Sequence, residues 1–423
     1  MAEKIIRDPV HDVIAFRLDR PADALLFRLI NAAEFQRLRR IRQLGMASLA
    51  YPGADHSRYS HSLGVMQTAR LMLGQLRHSV QIDEGEETVC LAACLLHDLG
   101  HGPFSHVFER VSGIDHEGLT RRVILDEASD VHRVLSGHDP ALPRLVVDLL
   151  AGRSSRPFFC DILSSQLDAD RFDYLVRDNL MTGSRYGDYD LNWLLHALTV
   201  HPPTGRLAVT WKGVSAVEAY LQARYHMYRN VYFHKVVRSA EGMVKLALQR
   251  AKRLAVQGRL PWPPAESVVH KALMGRRFLI EEFVDLDDVS VLHSFKVWQA
   301  SDDPALATLC KGLLFRRVYK TIDLTHAADP ERARAAAAEA VEQAGGDGGF
   351  DLFYDEPADT PYHRSDRGSC GGEAEIAVLR SDGSLTSLAQ VSPLTEALDR
   401  QLMFRRLHVA PQWRDVAERA VLG

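Results

Sequence analysis

Four residues in one short stretch could do chemistry together. They are His97, Asp98, His101 and His106, within Leu95-Leu96-His97-Asp98-Leu99-Gly100-His101-Gly102-Pro103-Phe104-Ser105-His106. Three imidazoles and one carboxylate so close together offer the nitrogen and oxygen donors that a divalent ion needs. His61 and Asp170 extend the set from two other segments, and mixed ligands of this kind leave coordination positions open for catalysis. The ligand types fit manganese, magnesium, iron or zinc and do not choose among them. His101, His106, His116 and Glu117 then read as an outer ring. A histidine poised by a carboxylate can carry protons and contact phosphate oxygens near neutral pH.

The elements that position these groups are helical. The apolar run Cys90, Leu91, Ala93, Cys94, Leu95 predicts a buried helix with His97-Asp98 at its last turn, stopped by Gly100, Gly102 and Pro103. His61 falls in a helix running to about Leu76. A helix over Ile162 to Leu180 lines up Asp170, Tyr174 and Asp178 at i, i+4 and i+8, a face suited to a wet cavity. A longer helical region, Val214 to about Val256, carries Arg224, Tyr228 and Tyr232 at the same spacing. Before these, residues 5–20 alternate like a hairpin, and Pro21 opens a helix. Asn31 and Glu34 predict a capping box for a second helix over Ala32 to Leu44, closed by Gly45, with Arg37, Arg39, Arg40 and Arg42 as a basic face.

Beyond residue 256 the character changes. Leu260-Pro-Trp-Pro-Pro is a break. Short helices are expected next, the basic Phe315 to Lys320 among them, then an alanine-rich helix (Ala333 to Ala344) and a Gly-rich hinge. Strands are expected at Phe350 to Tyr354 and Glu375 to Arg380, the second closed by Asp382-Gly383. The expected architecture is mainly α: a helical catalytic core over 1–255 with its hairpin arm, and a smaller α+β lobe over 256–423.

Composition narrows the class. Among 423 residues, 46% are hydrophobic and 25% charged, as in an ordinary globular protein. A formal net charge of −4 argues against a general nucleic-acid or membrane-surface binder, leaving only local basic patches for single-stranded nucleic acid. No signal segment or membrane span is expected. The five cysteines (Cys90, Cys94, Cys160, Cys310, Cys370) form no CxxC pair, which points to a reduced, cytoplasmic chain.

The runs FQRLRRIRQLG, RYSHSLGV, LLHDLGHGPFSH, HE, LDADRFDYLVRD and VYFHKV, with the order His61 … His97-Asp98 … Asp170, resemble the HD superfamily of metal-dependent phosphohydrolases. Over residues 5–250 they are most similar to the deoxynucleoside triphosphate triphosphohydrolases, without a sterile-alpha-motif domain. The resemblance implies hydrolysis of a deoxynucleoside triphosphate to deoxynucleoside and inorganic triphosphate in control of nucleotide pools. It implies metal at His61, His97, Asp98 and Asp170, and a catalytic side of His101, His106, His116 and Glu117, with His106 facing the phosphate whose ester bond breaks. It further implies triphosphate and sugar contacts from Arg58, Arg171, Tyr174, Asp178 and Arg224, and a deoxyribose wall from Gln43, Leu44 and Tyr232. An activating nucleotide and a dimer or tetramer are implied through Asn31, Gln36 and Arg39, although Asn31 stands where the family's animal enzyme has aspartate. The alternatives are an HD-type phosphatase or phosphodiesterase acting on another nucleotide, and a nucleotide-responsive nucleic-acid-binding protein.

Overall fold

The computed structural model describes residues 3–362 and 375–422, so Cys370 lies outside the described residues. The architecture is mainly α, with a few small sheets. The chain opens with the expected antiparallel hairpin, Glu3–Asp8 on Asp12–Arg17, with Glu3 opposite Arg17 and Asp8 opposite Asp12. Its turn is tied by the Asp8 carboxylate, which accepts from the Val10 and His11 amides at 2.9 and 3.1 Å. The helix Pro21–Ile30 follows, started by a proline that has no amide to leave unsatisfied.

The next segment differs from the expectation. The helix covers only Ala33–Arg37 and tightens into a 3₁₀ turn at Leu38–Arg40. Asn31 forms no cap: its amide donates to the Phe27 carbonyl at 2.7 Å, and Glu34 instead accepts from the Asp130 amide at 2.9 Å. Beyond Arg40 the chain is drawn off the helical path, because Arg58 and Gln43 amides bind the Ile41 and His56 carbonyls. The basic face also dissolves. Arg37 is fully buried beneath the Phe283 ring and donates to the carbonyls of Leu286 and His101. Arg40 pairs with Asp287, and Arg42 with Asp55 at 3.3 Å.

Two long helices build the centre. Arg58–Leu76 packs against Glu84–Leu96, whose residues Cys90 to Leu96 are all buried. A full capping box at Asp83 and Glu86 starts the second of them, and His97 ends it. The expected helix over 162–180 is two helices, Pro157–Leu163 and Ala169–Thr182. Asp168 caps the latter by accepting from the Arg171 amide at 2.7 Å, so residues 164–168 turn. The expected long region from Val214 is likewise divided into Val214–Met227, a π turn at Tyr228–Tyr232, and Lys235–Val256.

The apolar core continues across residue 256: Val268, Phe283, Val291, Phe295, Trp298 and Leu313 belong to the same cluster as Leu95 and Met243. A separate small core (Ile322, Ala337, Val341, Leu352, Leu407, Val409, Ala417) joins the strands Lys320–Asp323, Arg406–Val409 and Leu352–Asp355 to the helices Pro330–Gln343 and Arg414–Leu422. Phe315 to Lys320 is not helical. The preceding helix ends at Leu314, and the chain turns at Arg316 (φ +57°) into a strand. The Asp382-Gly383 hairpin forms between Ala377–Leu379 and Leu385–Ser387, and it adds to the core hairpin Leu198–His201/Arg206–Thr210 as a parallel neighbour. The cysteines at 90, 94, 160 and 310 are buried and unbridged. No helix among the described residues is long and apolar enough to cross a membrane.

Candidate active site

Three helix ends meet. His61 sits in the first turn of Arg58–Leu76, His97-Asp98 at the end of Glu84–Leu96, and Asp170 in the first turn of Ala169–Thr182. His61 Nδ1 donates to Asp173 at 2.9 Å and His97 Nδ1 donates to the Cys94 carbonyl at 2.8 Å. Those bonds turn both Nε2 atoms inward, as metal-ligating histidines are usually held. Asp170 Oδ1 lies 2.9 Å from His61 Nε2 and 3.7 Å from His97 Nε2, and Asp98 oxygens lie 3.7 and 3.4 Å from the same two atoms. Ligands sharing an ion at about 2.1 Å are spaced in this way. Both Nε2 atoms are buried and aligned with no hydrogen-bond partner, an expensive arrangement unless a cation takes their lone pairs. The four residues therefore fit a divalent metal. Burial alone would lower the His61 pKa, but the neighbouring Asp170 and Asp173 carboxylates outweigh it and push it up to about 10. Such carboxylates draw positive charge to this point, whether proton or metal.

Behind His61 lies a buried network that sequence reasoning missed. Asp173, fully buried, accepts from His61, from His11 Nε2 at 3.0 Å, and from Arg177 at 2.8 and 2.9 Å. Arg177 reaches on to Asp8 at 2.8 and 3.1 Å, so the N-terminal hairpin is part of the support. The contact needs Gly64: a Cβ there would fall 1.9 Å from Asp173 Oδ1. The i, i+4 pair Asp173/Arg177 beside Asp170 was the available signal.

Above the donor set, a cavity of about 350 Å³ is lined by Gln43, Arg58, His97, Asp98, His101, His106, His116, Glu117, Asp170 and Tyr174. Arg58 pairs with Asp98 and donates to Ser105 Oγ at 3.1 and 2.8 Å. His101 donates to Asp98 at 3.2 Å and stacks on His116 with centroids 4.0 Å apart. His106 stands edge-on to both rings at 5.2 and 5.3 Å, and one nitrogen from each of the three histidines lies within 4.8 Å of the others, a second cluster of donors beside the first. Burial and the Arg58 charge hold the His101 pKa well below its usual value, leaving it neutral. Glu109, also missed, accepts from His106 and His116 Nδ1 at 3.2 and 3.1 Å. It fixes which nitrogen each ring presents to the cavity.

A second cavity of about 180 Å³ shares Gln43, Arg58 and His106 with the first and adds Leu44 and Tyr232. Arg171, Asp178 and Arg224 line neither cavity. Arg171 lies 3.5 Å from Asp168. Asp178 accepts from Tyr232 at 2.9 Å and His56 at 2.7 Å, a strut behind the tyrosine. Arg224 is held by Asp359 at 3.3 Å and by the Pro361 carbonyl at 3.2 Å. Asn31, Gln36 and Arg39 lie together at the surface, with Arg39 donating to Gln36 at 2.8 Å and stacked over Tyr59. A larger cavity of about 700 Å³ lies toward the opposite end of the helix Glu84–Leu96, walled by Val89, Leu142, Leu145 and Phe159. Among the described residues, none of the clusters of His and carboxylate donors that could hold a metal lies there, so size does not mark the chemistry here.

A family model for the HD domain matches residues 58–140, and one for an HD-associated region matches 189–257. The chain is 36% identical over 401 residues to YwfO of Bacillus subtilis, covering 94% of this chain and 89% of that one. It is 29% identical over 340 residues to the SAMHD1 homologue of Dictyostelium discoideum, a deoxynucleoside triphosphate triphosphohydrolase, over 76% of this chain and 60% of that one. A solved phosphohydrolase from Bacteroides thetaiotaomicron superposes with a TM-score of 0.83 at 29% identity, covering 96% of this chain and 100% of that one. The chain belongs to the HD-domain family of metal-dependent phosphohydrolases and is similar to SAMHD1-type deoxynucleoside triphosphate triphosphohydrolases.

Proposed function

We propose that the protein hydrolyses deoxynucleoside triphosphates to deoxynucleoside and inorganic triphosphate. The observation that carries this reading is a pair of neighbouring cavities with a common wall. A histidine-rich chamber over the donor set, with Arg58 in its wall, shares Gln43, Arg58 and His106 with a smaller chamber walled by Leu44 and Tyr232. The likeness to the Dictyostelium enzyme supports the substrate class.

In this reading His61, His97, Asp98 and Asp170 hold the ion, which when bound supplies Lewis acidity toward a phosphate oxygen and acidifies water. Arg58 offers its guanidinium to the oxygens of the phosphate under attack. Neutral His101 accepts a hydrogen bond without adding charge, and Tyr174 walls the chamber. His106, steered by Glu109, delivers the proton that the departing 5′ oxygen needs when its bond to phosphorus breaks, with His116 and Glu117 alongside. Gln43, Leu44 and Tyr232 close around the sugar where a ribose would carry its 2′-hydroxyl, and Asp178 holds Tyr232 in place. Arg171 and Arg224 would reach the triphosphate only after rotating from Asp168 and Asp359. Those engagements favour, as the second reading, a phosphatase acting on a different nucleotide at the same metal. The burial of Arg37 leaves little support for a nucleic-acid-binding role. A cytoplasmic dimer or tetramer, with an activating nucleotide at Asn31, Gln36 and Arg39, completes the proposal.

The deciding experiment supplies manganese or magnesium and all four deoxynucleotides, with and without a second nucleotide, and resolves the products by anion-exchange chromatography. Triphosphate is expected. Release of pyrophosphate or single phosphate excludes the reaction, and faster turnover of ribonucleotides favours the second reading.

A further inference from the structure

The helix Asp288–Trp298 lies far from the metal-ligand motifs in sequence, yet its first residue reaches the walls of the substrate chamber. Asp288 is 2% exposed, and both of its oxygens are used. Oδ1 accepts from the Phe104 amide at 2.8 Å, and Oδ2 from the Arg42 amide at 2.9 Å. Phe104 and Ser105 are consecutive non-glycine residues in the left-handed region, at φ +51° and +54°. Such backbone costs roughly 1–3 kcal/mol per residue and persists only where surroundings impose it. Here the imposed turn has a purpose. Ser105 Oγ receives Arg58 Nε and Nη2, and His106 is the next residue. On the other side, Arg42 leads directly into Gln43 and Leu44, so one buried carboxylate sets the spacing of two walls.

We infer that Asp288 is a positioning residue for the hydrolysis, holding the Phe104–Ser105 turn that aims Arg58 and His106 and, through Arg42, the Gln43–Leu44 wall. The inference rests on the proposed function for its kinetic readout. Asp288→Asn keeps the shape but sets an NH₂ group against a backbone N–H. A displacement near 1 Å at reacting groups costs up to about a hundredfold, so kcat on the four deoxynucleoside triphosphates with manganese should fall roughly ten- to a hundredfold. Bound manganese per chain should stay unchanged, since Asp288 touches no donor.

A purely structural residue would lower the melting temperature and leave kcat of the folded enzyme alone. Combination with Ser105→Ala separates the cases. If Asp288 acts through the turn, the double variant is no slower than the slower single one, whereas losses that multiply overturn the inference. Should Asp288→Asn not fold, Asp288→Glu keeps both acceptors at a longer reach, and a wild-type kcat in that variant overturns the inference while a reduced one sustains it. If the wild type hydrolyses none of the four substrates, the proposed function fails on its own. Deuterium uptake then decides the inference: faster exchange confined to residues 40–46 and 102–107 in the Asp288 variant sustains it, and unchanged exchange there overturns it.

Discussion

Gly64→Ala offers a demanding test, because it touches neither an expected metal ligand nor a cavity-lining residue. Ordinarily, glycine to alanine inside a helix gains about 1 kcal/mol. At position 64 the new methyl would fall 1.9 Å from Asp173 Oδ1 and 2.3 Å from Arg177 Nη2, where ordinary contact begins at 3.4 Å. The carboxylate must retreat by about 1.5 Å, and its 2.9 Å bond from His61 and its pairing with Arg177 do not survive that shift. Disrupting a buried charge pair costs about 3–5 kcal/mol, so after the helical gain the net loss should be about 2–4 kcal/mol. Freed from Asp173, the His61 ring loses its fixed tautomer, and manganese affinity should fall about ten- to a hundredfold. Urea denaturation with and without manganese, together with metal competition against a chelating dye, reads both numbers. Gly74 is the control: it lies in the same helix with nothing within 4 Å, so Gly74→Ala should stabilise by about 1 kcal/mol. A Gly64→Ala protein as stable as wild type, binding manganese within twofold, refutes the account of the network.

Other consequences can be measured independently. His61→Ala and Asp98→Asn should each abolish turnover and remove the rise in melting temperature that manganese gives the wild type, and a rise that persists in both variants would discard the metal assignment. That rise corresponds to about 4 kcal/mol when the ion is present at a thousand times its dissociation constant. Glu109→Gln should lower kcat roughly tenfold or more with unchanged metal content, because His106 and His116 lose the acceptor that orients them. The buried His408 stacks on Phe353, and burial first, then the neighbouring arginines, hold its pKa down to about 4 against an ordinary 6.5. The unfolded chain binds that proton more readily, so the stabilisation is present above about pH 6.5 and is lost as pH falls toward 4. Wild type should lose up to about 3 kcal/mol more than His408→Phe across that window in urea titrations, and parallel curves would contradict the assignment.

The metal set was legible in the sequence because histidines and aspartates at the ends of apolar helices have few other uses. The structure brings His61, His97, Asp98 and Asp170 together. Local pattern failed where distant chain intervened. The capping box at Asn31 reads well, yet Asp130 claims Glu34 and Phe27 claims the Asn31 amide. The four arginines read as one basic face, but Arg37 is covered by the Phe283 ring and donates to the Leu286 carbonyl, 249 positions away. The break before Ala169 was readable, since Asp168 is a strong N-cap residue, and it was hidden by the longer apolar period around it. Glu109 and Asp288 carry no motif of their own, and Asp173 shows only its i, i+4 spacing to Arg177. Each acts by accepting hydrogen bonds from groups that the fold brings to it.

His11 and Asp173 stand 162 positions apart, and Asp8 and Arg177 stand 169 apart. The hairpin is synthesised ahead of its partners, which emerge only with the helix Ala169–Thr182. It must wait for them, and such long loops make closure slow. The orientation of His61 is therefore coupled to the hairpin through Asp173, which accepts from both His61 and His11. Metal affinity in this protein becomes a gauge of docking at its far N-terminal arm. A measurement at the catalytic centre thus reports on strands that contribute no ligand to it.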